Sequence, residues 1–137
     1  MVVINHLGIV VKDLDKAVKI FGKTFGLKVK EKSDYPELGM KVVIMEAENI
    51  NLELIEPTGP GPYWNSGRIT SHFNHIAFDV NTLTSFRKKA AKNRVSILPN
   101  KRRLTNGGYL VSVDSKTTLG LPIQLIVKHG KREFSET

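Results

Sequence analysis

Two histidines at matched places in a repeated pattern carry most of the chemical content of this sequence. His6 lies in Ile4-Asn5-His6-Leu7-Gly8-Ile9-Val10-Val11 and His75 in Phe73-Asn74-His75-Ile76-Ala77-Phe78-Asp79-Val80, which align at an offset of 69, from position 6 to position 75. Glu53 in Leu52-Glu53-Leu54-Ile55 aligns with Gln124 in Ile123-Gln124-Leu125-Ile126 at an offset of 71, from 53 to 124. Two imidazoles, a carboxylate and an amide oxygen can bind one divalent ion (zinc, nickel, cobalt, manganese or iron) and leave positions for water or substrate. The chain has no cysteine, so thiolate zinc sites, iron–sulfur clusters and disulfides are excluded, and any metal is held by nitrogen and oxygen. Each residue alone has an ordinary reading, a histidine in a strand being more often a hydrogen-bonded core or surface group than a ligand. Recurrence of the same two strand positions in both halves raises them to ligands, because twofold symmetry would bring all four together.

The elements that must position them follow from that repeat. The halves span 1–57 and 72–128, joined by Pro57-Thr58-Gly59-Pro60-Gly61-Pro62, whose prolines and glycines cannot continue a strand or helix. Each half opens with a period-two apolar strand, 3–11 and 73–80, followed by a helical pattern with Asp13 or Thr82 as N-cap. Leu14, Ala17, Phe21 and Phe25 form one helix face that Gly26 stops; Leu83, Phe86 and Ala90 form the other, with Asn93 as its stop. Three more strands follow in each half, at 28–33, 40–47 and 50–56, then at 95–98, 107–113 and 121–127. The expected fold class is α+β, βαβββ twice. Alternation along a strand sets Leu7, Ile9 and Val11 against the helix and leaves His6 and Gly8 on the other face, as Ile76, Phe78 and Val80 leave His75 and Ala77. Glu53 and Gln124 fall on that same side by the same parity.

Composition sets the outer limits. The 137 residues, 40% hydrophobic and 25% charged, suit one globular domain with a real core. No apolar run approaches a membrane span and the N-terminus lacks a signal-peptide pattern, so a cytosolic protein is expected, without membrane association. The net charge of +8 attracts anions, but its lysines and arginines are scattered apart from Lys101-Arg102-Arg103 and the tail from Lys128 to Arg132. With no zinc finger, RNP-type or helix-turn-helix pattern, no nucleic-acid partner is expected, and Lys101 to Arg103 read as a solvated loop. His72 and His129 have no counterparts in the repeat and are expected at the surface.

The segments Ile4 to Leu14, Pro36-Glu37-Leu38-Gly39, Leu52 to Pro57, Asn74 to Phe78 and Gly107-Gly108 resemble the vicinal oxygen chelate superfamily, in particular methylmalonyl-CoA epimerases and glyoxalase I (lactoylglutathione lyase). The resemblance runs from Val3 to about Val127. It implies a cup-shaped mixed sheet with the helices outside, one divalent metal on His6, Glu53, His75 and Gln124, and a homodimer. It also implies proton abstraction next to a carbonyl, with Glu53, the one acidic member of the quartet, as base, acting on a coenzyme A or glutathione thioester. Lys101, Arg102, Arg103 and Gly108 are the expected substrate-binding residues, the cations serving the phosphates of coenzyme A.

Three departures bear on the reaction. The family usually has Glu at Gln124, and an amide cannot take a proton. Some epimerases carry a carboxylate after the Pro-Glu-x-Gly turn, whereas Met40-Lys41-Val42-Val43 has none before Glu46. The paired histidines common at the second module's start are Asn74-His75 here. Two other classes therefore stay open. One is a non-catalytic, drug-sequestering protein of the same fold, with Tyr35, Tyr63 and Trp64 stacking on a flat ligand. The other is an iron-dependent dioxygenase built on two histidines and a carboxylate.

Overall fold

The computed structural model describes residues 2–104 and 107–128 and divides into two compact units, a first of residues 6–74 and a second of residues 1–5 with 75–137. In chain order the elements are β1 (Val3–Val10), α1 (Leu14–Lys19), β2 (Lys28–Tyr35), β3 (Met40–Glu46), β4 (Asn51–Pro57), β5 (His72–Val80), α2 (Leu83–Lys92), β6 (Ile97–Arg103), β7 (Tyr109–Val113) and β8 (Ile123–Val127). This is the α+β arrangement that the repeat requires. Strand order is β2-β3-β4-β1 in one half and β5-β8-β7-β6 in the other. In each, the first and last strands of the βαβββ motif pair in parallel and the other pairs are antiparallel.

Both helices begin as their caps dictate. The Asp13 carboxylate accepts from the Lys16 amide at 3.0 Å and the Thr82 hydroxyl from the Ser85 amide at 3.4 Å. Glu56 on β4 accepts from the Leu14 amide at 2.9 Å, which ties the start of α1 to its sheet and places a carboxylate at the positive end of the helix. α1 widens into a π-helical turn over Ile20–Thr24, and Gly26 closes it with a φ of 79°. At the end of α2 the cap is Asn93, but the residue that turns left-handed is the next one, Arg94, at φ 60°. Asn93 instead donates from its amide to the Lys89 carbonyl at 2.9 Å.

Each sheet half packs one face on its own helix. In the first unit Ile9, Val11, Val43, Met45 and Leu54 bury against Leu14 and Ala17. In the second, Val80, Tyr109, Val111, Val113, Leu125 and Val127 bury with Leu83. The opposite face, free of helices, is called the open face below. In the first unit it is apolar: Val10, Met40, Val42 and Ile55 are buried there, and Tyr35, Leu38, Tyr63 and Ile69 pack on them. Tyr63 and Ile69 come from the segment after β4, so that segment forms a wall over this face.

Glycines fix the wall's height. The turn Pro36–Gly39 lies so close to the segment after β4 that a Cβ at Gly61 would stand 2.0 Å from the Leu38 carbonyl oxygen, and one at Gly39 2.4 Å from that of Gly59. The Thr58 amide donates to the Gly39 carbonyl at 2.7 Å across the same junction. Gly39 also has a φ of 63°, so both space and backbone conformation demand glycine there.

The largest departure from the expected boundaries falls on β6. The strand runs to Arg103 instead of ending at 98, so Lys101, Arg102 and Arg103 belong to an edge strand and not to a loop. Its pairing with β7 shifts between Ile97 and Lys101, and the irregular stretch in between accommodates Pro99. Charged side chains on an edge also discourage pairing with a foreign strand, which accounts for a basic run where an interior strand would be apolar. Among the described residues no helix is long and apolar enough to cross a membrane.

Candidate metal and substrate site

His6 and Glu53 are brought together in the first unit. β1 and β4 run parallel with Gly8 opposite Glu53, and alternation puts His6, Gly8 and Glu53 on the open face. His6 is 6% exposed and the Glu53 side chain 16%, with His6 Nε2 3.7 Å from Glu53 Oε1. Gly8, also buried, keeps the space between them clear of side chain. A separation of 3.7 Å is long for a direct hydrogen bond but suits two donors of one ion, since ligand distances near 2.0–2.2 Å leave neighbouring donors roughly 3–4 Å apart. The residues present therefore fit a metal.

The second unit repeats the arrangement with one chemical change. β5 and β8 run parallel with Ala77 opposite Gln124, the register equivalent of Gly8 opposite Glu53. His75 is 6% exposed and Ala77 fully buried, while Gln124 is half-buried and also faces Ser112 across β7. The same frame thus presents an acid in one half and an amide in the other.

Beyond the quartet, the open face of the second unit holds a carboxylate that the sequence pattern concealed. Asp79 follows His75 and Ala77 by alternation, where the first repeat has Val10. It accepts from Asn5 Nδ2 at 2.9 Å and pairs with Lys128 Nζ at 3.2 Å. The signal in the sequence was a charged residue at an inward strand position; it needed a partner to be meaningful, and Asn5 lies 74 residues away. On β3 of the first unit the open-face residues Met40, Val42 and Ile44 carry no acid, as the sequence indicated. Glu46 ends that strand in solvent near Lys30 at 4.0 Å.

The expected substrate-binding residues separate. Lys101 lies opposite Val111 and Arg103 opposite Tyr109, on the helix-packed face, and Lys101 Nζ stands 4.9 Å above the Tyr109 ring. Arg102 lies opposite Leu110, on the open face. Gly108 is buried where a Cβ would stand 2.4 Å from the Val127 carbonyl oxygen, so its lack of a side chain lets β7 start against β8. Tyr35 and Tyr63 pack on the first unit's sheet, and Trp64 covers Gly67. His72 is exposed and donates from Nδ1 to the Thr70 carbonyl at 2.7 Å, while His129 and the tail from 129 to 132 lie outside the described residues.

Comparison with known proteins agrees with this architecture. The sequence profile of the Glyoxalase/Bleomycin resistance protein/Dioxygenase superfamily matches residues 5–112. The mitochondrial methylmalonyl-CoA epimerase of Homo sapiens is 25% identical over 126 residues, which cover 89% of this chain and 72% of that protein. The crystal structure of methylmalonyl-CoA epimerase from Mycobacterium tuberculosis superposes with a TM-score of 0.78 at 16% identity, covering 98% of this chain and 91% of the other. A methylmalonyl-CoA epimerase in complex with methylmalonyl-CoA and NH4+ superposes with a TM-score of 0.77 at 21% identity, covering 97% of each chain.

Proposed function

The chain belongs to the Glyoxalase/Bleomycin resistance protein/Dioxygenase superfamily, and from that premise we propose that it is a metal-dependent epimerase that moves a proton at the carbon next to the carbonyl of an acyl-coenzyme A thioester. The observation that carries the reading is the buried His6–Glu53 pair at 3.7 Å, whose register is repeated by His75 and Gln124. In this reading His6 and Glu53, with their counterparts His75 and Gln124 in the repeat, are the donors of a divalent ion, zinc, nickel, cobalt, manganese or iron. Such an ion supplies Lewis acidity to the thioester carbonyl oxygen and stabilises the enolate charge that builds there. The likeness to methylmalonyl-CoA epimerases in sequence and in fold supports a methylmalonyl-type substrate.

The residues divide the remaining work by their chemistry. Glu53 accepts the α-proton, because it is the acid of the quartet. Gln124 offers an oxygen ligand or an N–H donor to the substrate and cannot take a proton. The apolar open face of the first unit, with Val10, Val42 and Ile55, excludes water from the carbanion side of the reaction. Inversion requires the proton to return from the face opposite Glu53. A one-base isomerisation of glyoxalase type needs no such second donor, and the amide at Gln124 favours it as the second reading.

One experiment separates these outcomes. The protein loaded with each divalent metal in turn is incubated with one stereoisomer of methylmalonyl-CoA in deuterated water, and both label and configuration are followed. Exchange with inversion is expected. Loss of the methylglyoxal–glutathione adduct without exchange into methylmalonyl-CoA would replace the epimerase with the lyase. Oxygen consumption with bound iron would indicate a dioxygenase, and ligand binding with no turnover a sequestering protein. The proposal includes a cytosolic homodimer, which sedimentation and cell fractionation test.

A further inference from the structure

Three consecutive cations on a strand cannot all face the same ligand, because alternate side chains leave opposite faces. Lys101 and Arg103 share a face with Tyr109 and Val111, and the position of Lys101 Nζ over the Tyr109 ring confirms the direction. Arg102 shares its face with Leu110, and Leu110 in turn lies opposite Ile126 and one alternation from Ser112, which lies opposite Gln124. Through the pairing of β5 with β8, this is also the face of His75, Ala77 and Asp79. One guanidinium therefore stands on the open face of the second unit, two strands from Gln124. Arg102 stands in the row of Ile126, so two strand spacings and a two-residue step separate it from Gln124, about 12 Å between backbones, an interval that the arginine and glutamine side chains span only together.

We propose that Arg102 is a specificity-determining residue that receives a carboxylate carried on the acyl group of the substrate, so that the enzyme takes dicarboxylic acyl thioesters in preference to monocarboxylic ones. The inference rests on the acyl-thioester reading above. The planar fork of arginine matches a carboxylate with two parallel N–H donors, a geometry that lysine cannot reproduce. Phosphate is the other anion on such a substrate, but the phosphates of coenzyme A stand at the far end of the pantetheine arm from the reacting carbon. A group that shares the open face with Gln124 lies on the acyl side of the substrate. Leu110 and Ile126 beside it form an apolar floor that weakens competition from water.

Deuterium exchange at the α-carbon of methylmalonyl-CoA and of propionyl-CoA, which lacks the second carboxylate, tests this in R102Q, in R102K and in the double variant K101Q/R103Q. For R102Q the preference for methylmalonyl-CoA is expected to fall ten- to a hundredfold, with R102K recovering part of it and the double variant losing at least tenfold less. Equal losses on both substrates would assign Arg102 to the shared coenzyme A moiety and overturn the proposal, as would a double variant that loses as much as R102Q. A wild-type protein that exchanges neither substrate would count against the proposed reaction and leave Arg102 to be judged by binding. Then the affinity ratio of the two thioesters, measured by calorimetry, must favour methylmalonyl-CoA and collapse in R102Q, and a ratio that R102Q leaves unchanged sinks the proposal.

Discussion

The two units use one frame for different chemistry. Each pairs the first and last strands of its motif in parallel, buries a histidine, and keeps Gly8 or Ala77 beside it, opposite Glu53 or Gln124. The first unit then surrounds its acid with an apolar open face walled by Tyr63 and Ile69. The second places Ser112 opposite its amide and carries Asp79, Lys128 and Arg102 elsewhere on the same face. Duplication supplies a matched register, and divergence of the remaining open-face residues makes one unit's face apolar and the other's charged, which the proposed reaction would use for proton abstraction and for recognition.

The comparison breaks first at Glu53. In E53Q both units present an amide, and α-proton exchange is expected to fall by roughly 10²–10⁴-fold if Glu53 is the base; retained exchange in metal-loaded E53Q would end its role. The frame itself is tested next. Leu83 is fully buried and Leu14 is 7% exposed, so L83A and L14A should each cost about 2–5 kcal/mol in denaturant unfolding, with the larger loss for L83A. Gly61→Ala belongs in the same range of a few kcal/mol, because a Cβ there meets backbone that cannot rotate away. An unfolding midpoint unchanged by G61A would mean that the wall shifts freely.

Q124E sharpens the comparison from the other side. It gives the second unit the acid of the first and should slow metal loss to a chelator by about tenfold, since a carboxylate is a stronger ligand for a dication than an amide. The smallest effects are at the caps. Asp13→Ala should cost about 1 kcal/mol and Thr82→Ala less, because the Thr82 bond is longer, 3.4 against 3.0 Å, and lacks the charge that favours the helix N-terminus.

Much of this was legible in the sequence because the repeat reports on itself. The offsets of 69 and 71 placed both histidines and both strand partners before any geometry, and period-two alternation gave their face. The helix caps were legible for the same local reason, Asp and Thr having side-chain oxygens that reach the first free amides. What escaped depended on pairing. The extension of β6 through Lys101, Arg102 and Arg103 comes from hydrogen bonds to β7, and no hydrophobic alternation marks an exposed edge strand. The left-handed residue after α2 fell on Arg94 and not on Asn93, because the Asn93 side chain was taken by the Lys89 carbonyl. Asp79 had no meaning until Asn5 and Lys128 met it.

The glycine junction at residues 39 and 61 has a consequence for how such a protein can change over generations. Because the wall is set by main chain against main chain, its position does not depend on which side chains line it. Tyr63 and Ile69 can be exchanged for others without moving the frame, so the lining of the open face can drift on its own, provided the glycines stay.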